Sequence, residues 1–163
     1  MYRLFLILLF PLVACGQDLT LDQEVELLYR KTVPVISKAG LDSLMAADST
    51  LVLLDCREAE EYAVSHLPGS DLAPYGAFEA DDLKQITKDR PVVVYCSIGY
   101  RSERIGEKLQ DAGFSNVFNL YGGIFDWKNN GGVVVTSEKD TTQKVHTYNK
   151  QWSKYLQVGE KVY

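Results

Sequence analysis

Four residues separate Cys96 from Arg101, and Gly99 stands between them, in the stretch Pro91-Val-Val-Val-Tyr-Cys-Ser-Ile-Gly-Tyr-Arg-Ser102. A cysteine attacks as its thiolate. A guanidinium close by and converging loop N–H groups both favour that anion. The chemistry this spacing suggests is attack by sulfur, with a covalent intermediate on Cys96. The competing reading is a structural cysteine in the core, since free cysteine is often buried. The elements around it favour the first. Val92 to Val94 form a β-branched run that reads as a buried strand, and it stops at Cys96. A helical pattern starts near Ser102, with Ile105, Leu109 and Ala112 on one face. Cys96 is therefore expected at the carboxyl end of a strand, in a tight loop facing a helix N-terminus. Ligands bind at that end of an open α/β sheet.

Two further stretches carry polar residues at the ends of apolar runs. Leu51 to Leu54 reads as a second buried strand, and Asp55-x-Arg57, Glu61-Tyr62 and His66-Leu-Pro-Gly-Ser70 follow it. Arg57 is expected to pair with Glu61 across a strand–helix corner. His66 precedes a Pro-Gly turn signal and is expected to fix that turn. Downstream, Asn116 to Leu120 reads as a strand and leads into Leu120-Tyr-Gly-Gly-Ile-Phe-Asp-Trp127. The paired glycines allow a sharp strand-to-helix turn, and Trp127 is expected to anchor the core beneath the helix.

Taken in order, these stretches resemble the signatures of the rhodanese family. The first is usually written Asp-x-Arg, Glu-Tyr, Gly-His-Ile-Pro-Gly-Ala; here Ser65, Leu67 and Ser70 replace Gly, Ile and Ala. The second is the short active loop Cys-x-x-Gly-x-Arg. It is one residue shorter than the Cys-x5-Arg loop of tyrosine phosphatases, a cradle sized for one sulfur atom. The third is Leu-x-Gly-Gly-x-x-x-Trp. The resemblance implies an α/β fold with a five-stranded, mostly parallel sheet and helices on both faces, over residues 33–130. It implies a sulfurtransferase in which Cys96 takes a sulfane sulfur from thiosulfate or a related small anionic donor. The persulfide then passes that sulfur to a thiol or cyanide. Arg101 would attract the donor, and backbone N–H groups from Ser97 to Arg101 would stabilise the terminal sulfur. Gly99 would let the loop curl. Ser97, Ile98 and Tyr100 would line the mouth, and Asp55 and Arg57 would brace the loop from beside it. The scheme calls for no metal or organic cofactor. Two rivals stay open. One is a binding or sulfur-carrying module without turnover. The other is a thiol redox protein in which Cys56, at the end of a neighbouring strand, resolves an oxidised Cys96.

The flanks carry other signals. The chain has 163 residues, 46% hydrophobic and 24% charged, enough for one domain with a real core. A net charge of −5 gives no basic surface for nucleic acid. Residues 1–14 read as a signal peptide, with Arg3 ahead of the apolar run Leu4 to Val13, and Leu-Val-Ala-Cys15 resembles a bacterial lipobox. Lipidation at Cys15 would anchor an exported protein to a membrane, with the periplasmic side of the outer membrane as the expected site. Residues 15–32 read as a linker and helix on the outside of the domain, opened by the capping-box pattern Thr20-Leu-Asp-Gln23, with Leu21, Val25, Leu28 and Tyr29 on one face. Val33 to Ile36 reads as a strand, Leu41, Leu44 and Met45 mark a helix, and Glu79 to Thr87 reads as a polar helix with Leu83 and Ile86 inward. Residues 131–163 form a C-terminal extension. From Lys128 onward six lysines face three acidic residues. The extension is expected to wrap on the domain through Trp152, Tyr155 and Leu156, with a partner or anionic lipid as the alternative contact.

Overall fold

The structure, a computed structural model, describes residues 18–163. The expected signal peptide and Cys15 lie outside the described residues. Helix α1 (Leu21–Leu28) opens with the capping box: Thr20 and Gln23 satisfy one another's backbone N–H groups. Strand β1 (Val35–Ile36) and helix α2 (Lys38–Ala47), capped by Ser37, follow. Then come β2 (Val52–Asp55), α3 (Ala59–Val64), β3 (Asp71–Leu72), β4 (Val92–Tyr95), α4 (Tyr100–Asp111), β5 (Val117–Leu120) and α5 (Gly123–Asn129). The five strands form one parallel sheet in the order β1-β5-β4-β2-β3. A parallel sheet needs helical crossovers, so both faces are covered. This explains why β2 and β4 are apolar along their whole length, apart from Asp55. Leu53, Val93, Tyr95 and Leu120 face α5, with Ile124, Phe125 and Trp127 packed on them. Val52, Leu54, Val92, Val94 and Val117 face α4, with Ile105 and Leu109.

Helix α4 starts at Tyr100, two residues before the sequence pattern suggests. It ends in a Schellman turn: Phe114 N–H donates to Leu109 O and Gly113 N–H to Gln110 O. The polar helix expected over Glu79 to Thr87 is only a 3-10 turn at Ala80–Leu83. Three acidic residues crowd its start, and Ala80, Leu83 and Ile86 are held, half-buried, against the core. One partly buried edge gives little packing to sustain a longer helix.

The C-terminal extension belongs to the core. Strand β6 (Val134–Val135) pairs antiparallel with β7 (Thr141–Thr142), and β8 (Lys144–His146) pairs parallel with β9 (Glu160–Val162). Val134, Val145, Tyr155 and Leu156 sit in the same apolar cluster as Leu53 and Trp127. The boundary expected at residue 130 therefore separates sequence signatures, not packing units. Trp152–Tyr155 forms a 3-10 turn. Tyr155 Oη donates to Glu24 on α1, so the extension reaches the N-terminal helix. Among the described residues no helix is long and apolar enough to cross a membrane.

Candidate active site

Strand β4 ends at Tyr95 and β2 at Asp55, paired in register, so the residues after them meet at the carboxyl edge of the sheet. Cys96 follows β4, and residues 96–99 curl into α4. Four successive carbonyls of this loop point outward to partners. Cys96 O accepts from Ile124 N–H at 2.9 Å and Ser97 O from Phe125 N–H at 3.2 Å. Ile98 O accepts from Tyr29 Oη at 2.8 Å. Gly99 O accepts from Asn119 Nδ2 at 3.0 Å and from Glu103 N–H. A trans peptide sets its N–H opposite its carbonyl. Pinning these carbonyls outward turns the intervening N–H groups inward, towards the cysteine. Gly99 N–H completes this arrangement, donating to Cys96 Sγ at 3.1 Å. Gly99 takes φ +101°, and a Cβ there would overlap the Tyr29 hydroxyl. The glycine is required twice over.

Arg101 is not a free cation. Its guanidinium forks onto Glu61, with Nη1–Oε2 at 2.7 Å and Nη2–Oε1 at 2.8 Å, and Nη2 also donates to Ser97 Oγ at 3.1 Å. Burial pushes the Glu61 carboxyl up, but the Arg101 bonds and charge outweigh it and hold the group below the usual glutamate range. Burial likewise opposes the Arg101 charge. Glu61 and the nearby Cys96 sulfur outweigh that and raise its pKa further. Glu61 also accepts from Glu58 N–H as part of the α3 capping box.

This corrects the expected Arg57–Glu61 pair. Arg57 forks onto Asp55 instead, with Nη2–Oδ2 at 2.7 Å and Nε–Oδ1 at 2.9 Å, both side chains fully buried. Residues 55 and 57 share a face at an extended strand end, so Arg57 folds back on Asp55 and leaves Glu61 to the loop. Arg57 Nη2 donates onward to Ser65 O, and the Tyr95 hydroxyl binds Leu67 N–H and Ser70 Oγ. These bonds brace the 65–70 turn against β4. His66 does fix that turn: its ring stacks on Tyr62 at 3.8 Å, and its backbone bridges to Val135.

Cys56 is fully buried on the same sheet face as Cys96. Burial, and then the charges of Cys96 and Asp55, push its thiol well up. It is a poor nucleophile there.

A cavity of about 440 Å³ opens over Cys96. Ser97, Ile98, Tyr100 and Arg101 of the loop line it. The other walls were not expected from sequence: Leu28, Glu58, Tyr75, Tyr148 and Trp152. Sequence reasoning did not place Tyr29, Glu61, Tyr148 and Trp152 at the site. Glu61 carried a signal as a motif residue, and Tyr29 and Trp152 as positions on apolar faces, but none of these signals pointed to the loop. Among the described residues, no three metal-ligating side chains come together.

A family profile described as a rhodanese-like domain matches residues 37–130. A protein of Allochromatium vinosum named sulfurtransferase is 32% identical over 103 residues, covering 63% of this chain and 95% of the relative. YrkF of Bacillus subtilis, whose name is that of a sulfur carrier, is 31% identical over 96 residues, covering 59% of this chain and 51% of its own. The chain thus spans about half of that relative, and 20% of a Mycobacterium tuberculosis protein named for adenylyltransferase and sulfurtransferase activities. Among solved structures, the rhodanese-like domain of an Anabaena protein is similar at TM-score 0.57 and 26% identity, covering 63% of this chain and 79% of that one. A Pseudomonas aeruginosa thiosulfate sulfurtransferase shares the fold at TM-score 0.60 and 24% identity, covering 69% of this chain and 22% of that one.

Proposed function

The chain belongs to the rhodanese-like domain family, and from that premise we propose that it is a sulfurtransferase working through a persulfide on Cys96. The observation that carries the reading is the loop itself. Its carbonyls are pinned outward, and Gly99 N–H lies 3.1 Å from Cys96 Sγ. Donors arranged in advance around a sulfur anion stabilise charge without reorganising. In the first half-reaction the Cys96 thiolate attacks the outer sulfur of thiosulfate or a related donor. The Sγ–S bond forms as the donor's S–S bond breaks, and the electron pair leaves with sulfite or its counterpart. In the second, an acceptor thiolate or cyanide attacks the terminal sulfur, and Cys96 leaves as thiolate.

The name of the Allochromatium relative, nearly all of which this chain matches, agrees with this reading. The carrier alternative draws support from the name of the Bacillus relative. The redox alternative, with Cys56 as resolving thiol, is weakened by that residue's full burial. In this proposal the leader is removed and lipid on Cys15 tethers the enzyme to the periplasmic side of the outer membrane. Loss of lipid labelling in Cys15→Ala checks that placement.

The test is intact mass after incubation with thiosulfate, then thiocyanate release on adding cyanide. A gain of one sulfur that cyanide discharges is expected, absent from Cys96→Ala and kept in Cys56→Ala. A sulfur gained but not discharged to cyanide or thiols favours the carrier. No gain from any sulfane donor refutes the enzyme.

A further inference from the structure

Building on the sulfurtransferase reading, we propose that the sulfur donor carries an apolar, ring-sized organic body on the group that leaves when its sulfane sulfur is taken. Tyr148 and Trp152 of the C-terminal segment are then the residues that select it.

Charge makes a bare inorganic dianion such as thiosulfate a usable but poorer donor than a monoanion. Among the described residues Arg101 is the only cation lining the cavity, and two bonds to Glu61 and one to Ser97 already occupy it. Glu58 adds a second carboxylate at the mouth. A thiosulfate dianion would meet one cation and two carboxylates. Shape and lining argue the same way. A cavity of about 440 Å³ is the size that takes an organic ligand, and sites of that kind are mainly apolar with a few polar groups. Three of the protein's exposed aromatic rings, Tyr75, Tyr100 and Tyr148, stand around this one opening, and Trp152 joins them. Rings of this sort bind an apolar or aromatic body well.

Tyr148 adds an independent observation. It is 57% exposed, yet its backbone holds φ +64°, a left-handed conformation costly for a residue with a side chain. Its N–H donates to His146 Nδ1 at 3.1 Å, and its ring lies over the Arg101 guanidinium, 5.5 Å to the centroid. The core gains little from this exposed ring, and the strain places it at the mouth of the cavity. An organic thiosulfonate has the matching chemistry. Cys96 thiolate attacks its terminal sulfur, the S–S bond breaks, and the organic sulfinate leaves with the electron pair and the apolar body.

The experiment compares benzenethiosulfonate with methanethiosulfonate, which differ in the ring alone, each rate divided by that of free cysteine with the same donor. We expect kcat/KM to favour the ring by about tenfold, the scale a hydrophobic contact can give. Tyr148→Gly relieves the backbone strain while removing the ring, so it should fold and still lose most of that preference. Trp152→Leu should lose part of it. Calorimetry on Cys96→Ala, which cannot take sulfur, reads binding alone and should show the same tenfold preference in Kd. Equal kcat/KM for the two donors and equal Kd in Cys96→Ala would overturn the inference while leaving a working sulfurtransferase. Ring-selective binding to Cys96→Ala, with no sulfur transfer in the parent protein, would support the pocket assignment and sink the sulfurtransferase reading.

Discussion

At the scale of single residues, the site rests on Glu61. Its side chain is 4% exposed and that of Arg101 15%, so the pair is largely out of water but not sealed. It fixes the guanidinium beside the loop at the expense of the cation's reach towards a donor. Glu61→Gln keeps an acceptor oxygen but loses the charge, which should cost about 1.5–3 kcal/mol at neutral pH, the range for hydrogen bonds to charged groups. The pH dependence has a definite sign. The folded carboxyl titrates below the ordinary glutamate value of 4.5. The unfolded chain therefore binds the proton first, and stability from this pair is complete above about pH 4.5 and lost as pH falls through the lower, folded value. Urea unfolding between neutral pH and pH 3 should show stability falling in that window, with a flatter acid slope in Glu61→Gln. Equal slopes would place the acid sensitivity elsewhere, with Glu103 the next candidate, since it too is held below the usual range against its own burial. The Cys96, Gly99 and Arg101 constellation was legible in the sequence because it is contiguous and its geometry is local. The identity of Arg101's partner was not. Asp55 and Glu61 are both acidic and both near Arg57 in sequence, and only the position of α3 decides which carboxylate faces which guanidinium.

At the scale of elements, the active loop is a product of helix placement. Helix α5 comes so close that a Cβ on Gly123, at φ +56°, would strike the Cys96 carbonyl. Only glycine permits Ile124 and Phe125 N–H to reach the carbonyls of Cys96 and Ser97. Gly123→Ala should therefore cost about 1–3 kcal/mol for strain and displaced backbone, and slow Cys96 sulfur loading at least tenfold. Gly113→Ala is the matched control. It has φ +92° and nothing within 4 Å of a new Cβ, so it should lose about 1 kcal/mol and keep its loading rate. Loading slowed equally in both, measured as persulfide mass against time, would mean that lost stability rather than loop geometry is responsible. The order of strands and the glycine turn were readable from β-branched runs and punctuation, which are local signals. The expected helix over Glu79 to Thr87 failed because its one partly buried edge did not reward helix formation. Tyr29 was readable as a buried position on an amphipathic face, but its bond to Ile98 O spans 69 residues and depends on where α1 docks. Burial, and then the neighbouring Cys96, push its hydroxyl pKa up, which favours the protonated form that donates to Ile98 O.

At the scale of the whole molecule, the C-terminal extension closes both the core and the site. Val145, Tyr155 and Leu156 complete the apolar cluster under the sheet, while Tyr148 and Trp152 wall the cavity above Cys96. The extension was legible as an aromatic stripe that packs back, but not as a wall of the site, because which strand edge it joins is a tertiary choice. One departure from the family signature shows how it is held. Ser65 stands where glycine is usual, is fully buried, and donates from Oγ to Lys144 O at 2.6 Å. A glycine at this position cannot make that bond. With the His66–Val135 bridge next to it, Ser65 clips β8 and β6 onto the end of α3. Ser65→Gly removes the hydroxyl and adds backbone freedom to the unfolded chain, so it should destabilise the protein by about 1–2 kcal/mol. The loss should be uneven. In native-state hydrogen exchange, the Thr147 amide, which pairs with Val162 O, should lose protection, while β4 amides keep theirs relative to the global stability. Sulfur loading from a ring-bearing donor should fall with it, because the same segment carries Tyr148 and Trp152. Protection lost to the same extent in β4 and at Thr147 would mean that the extension and the sheet open as one unit, and Ser65 would then be a general core contact.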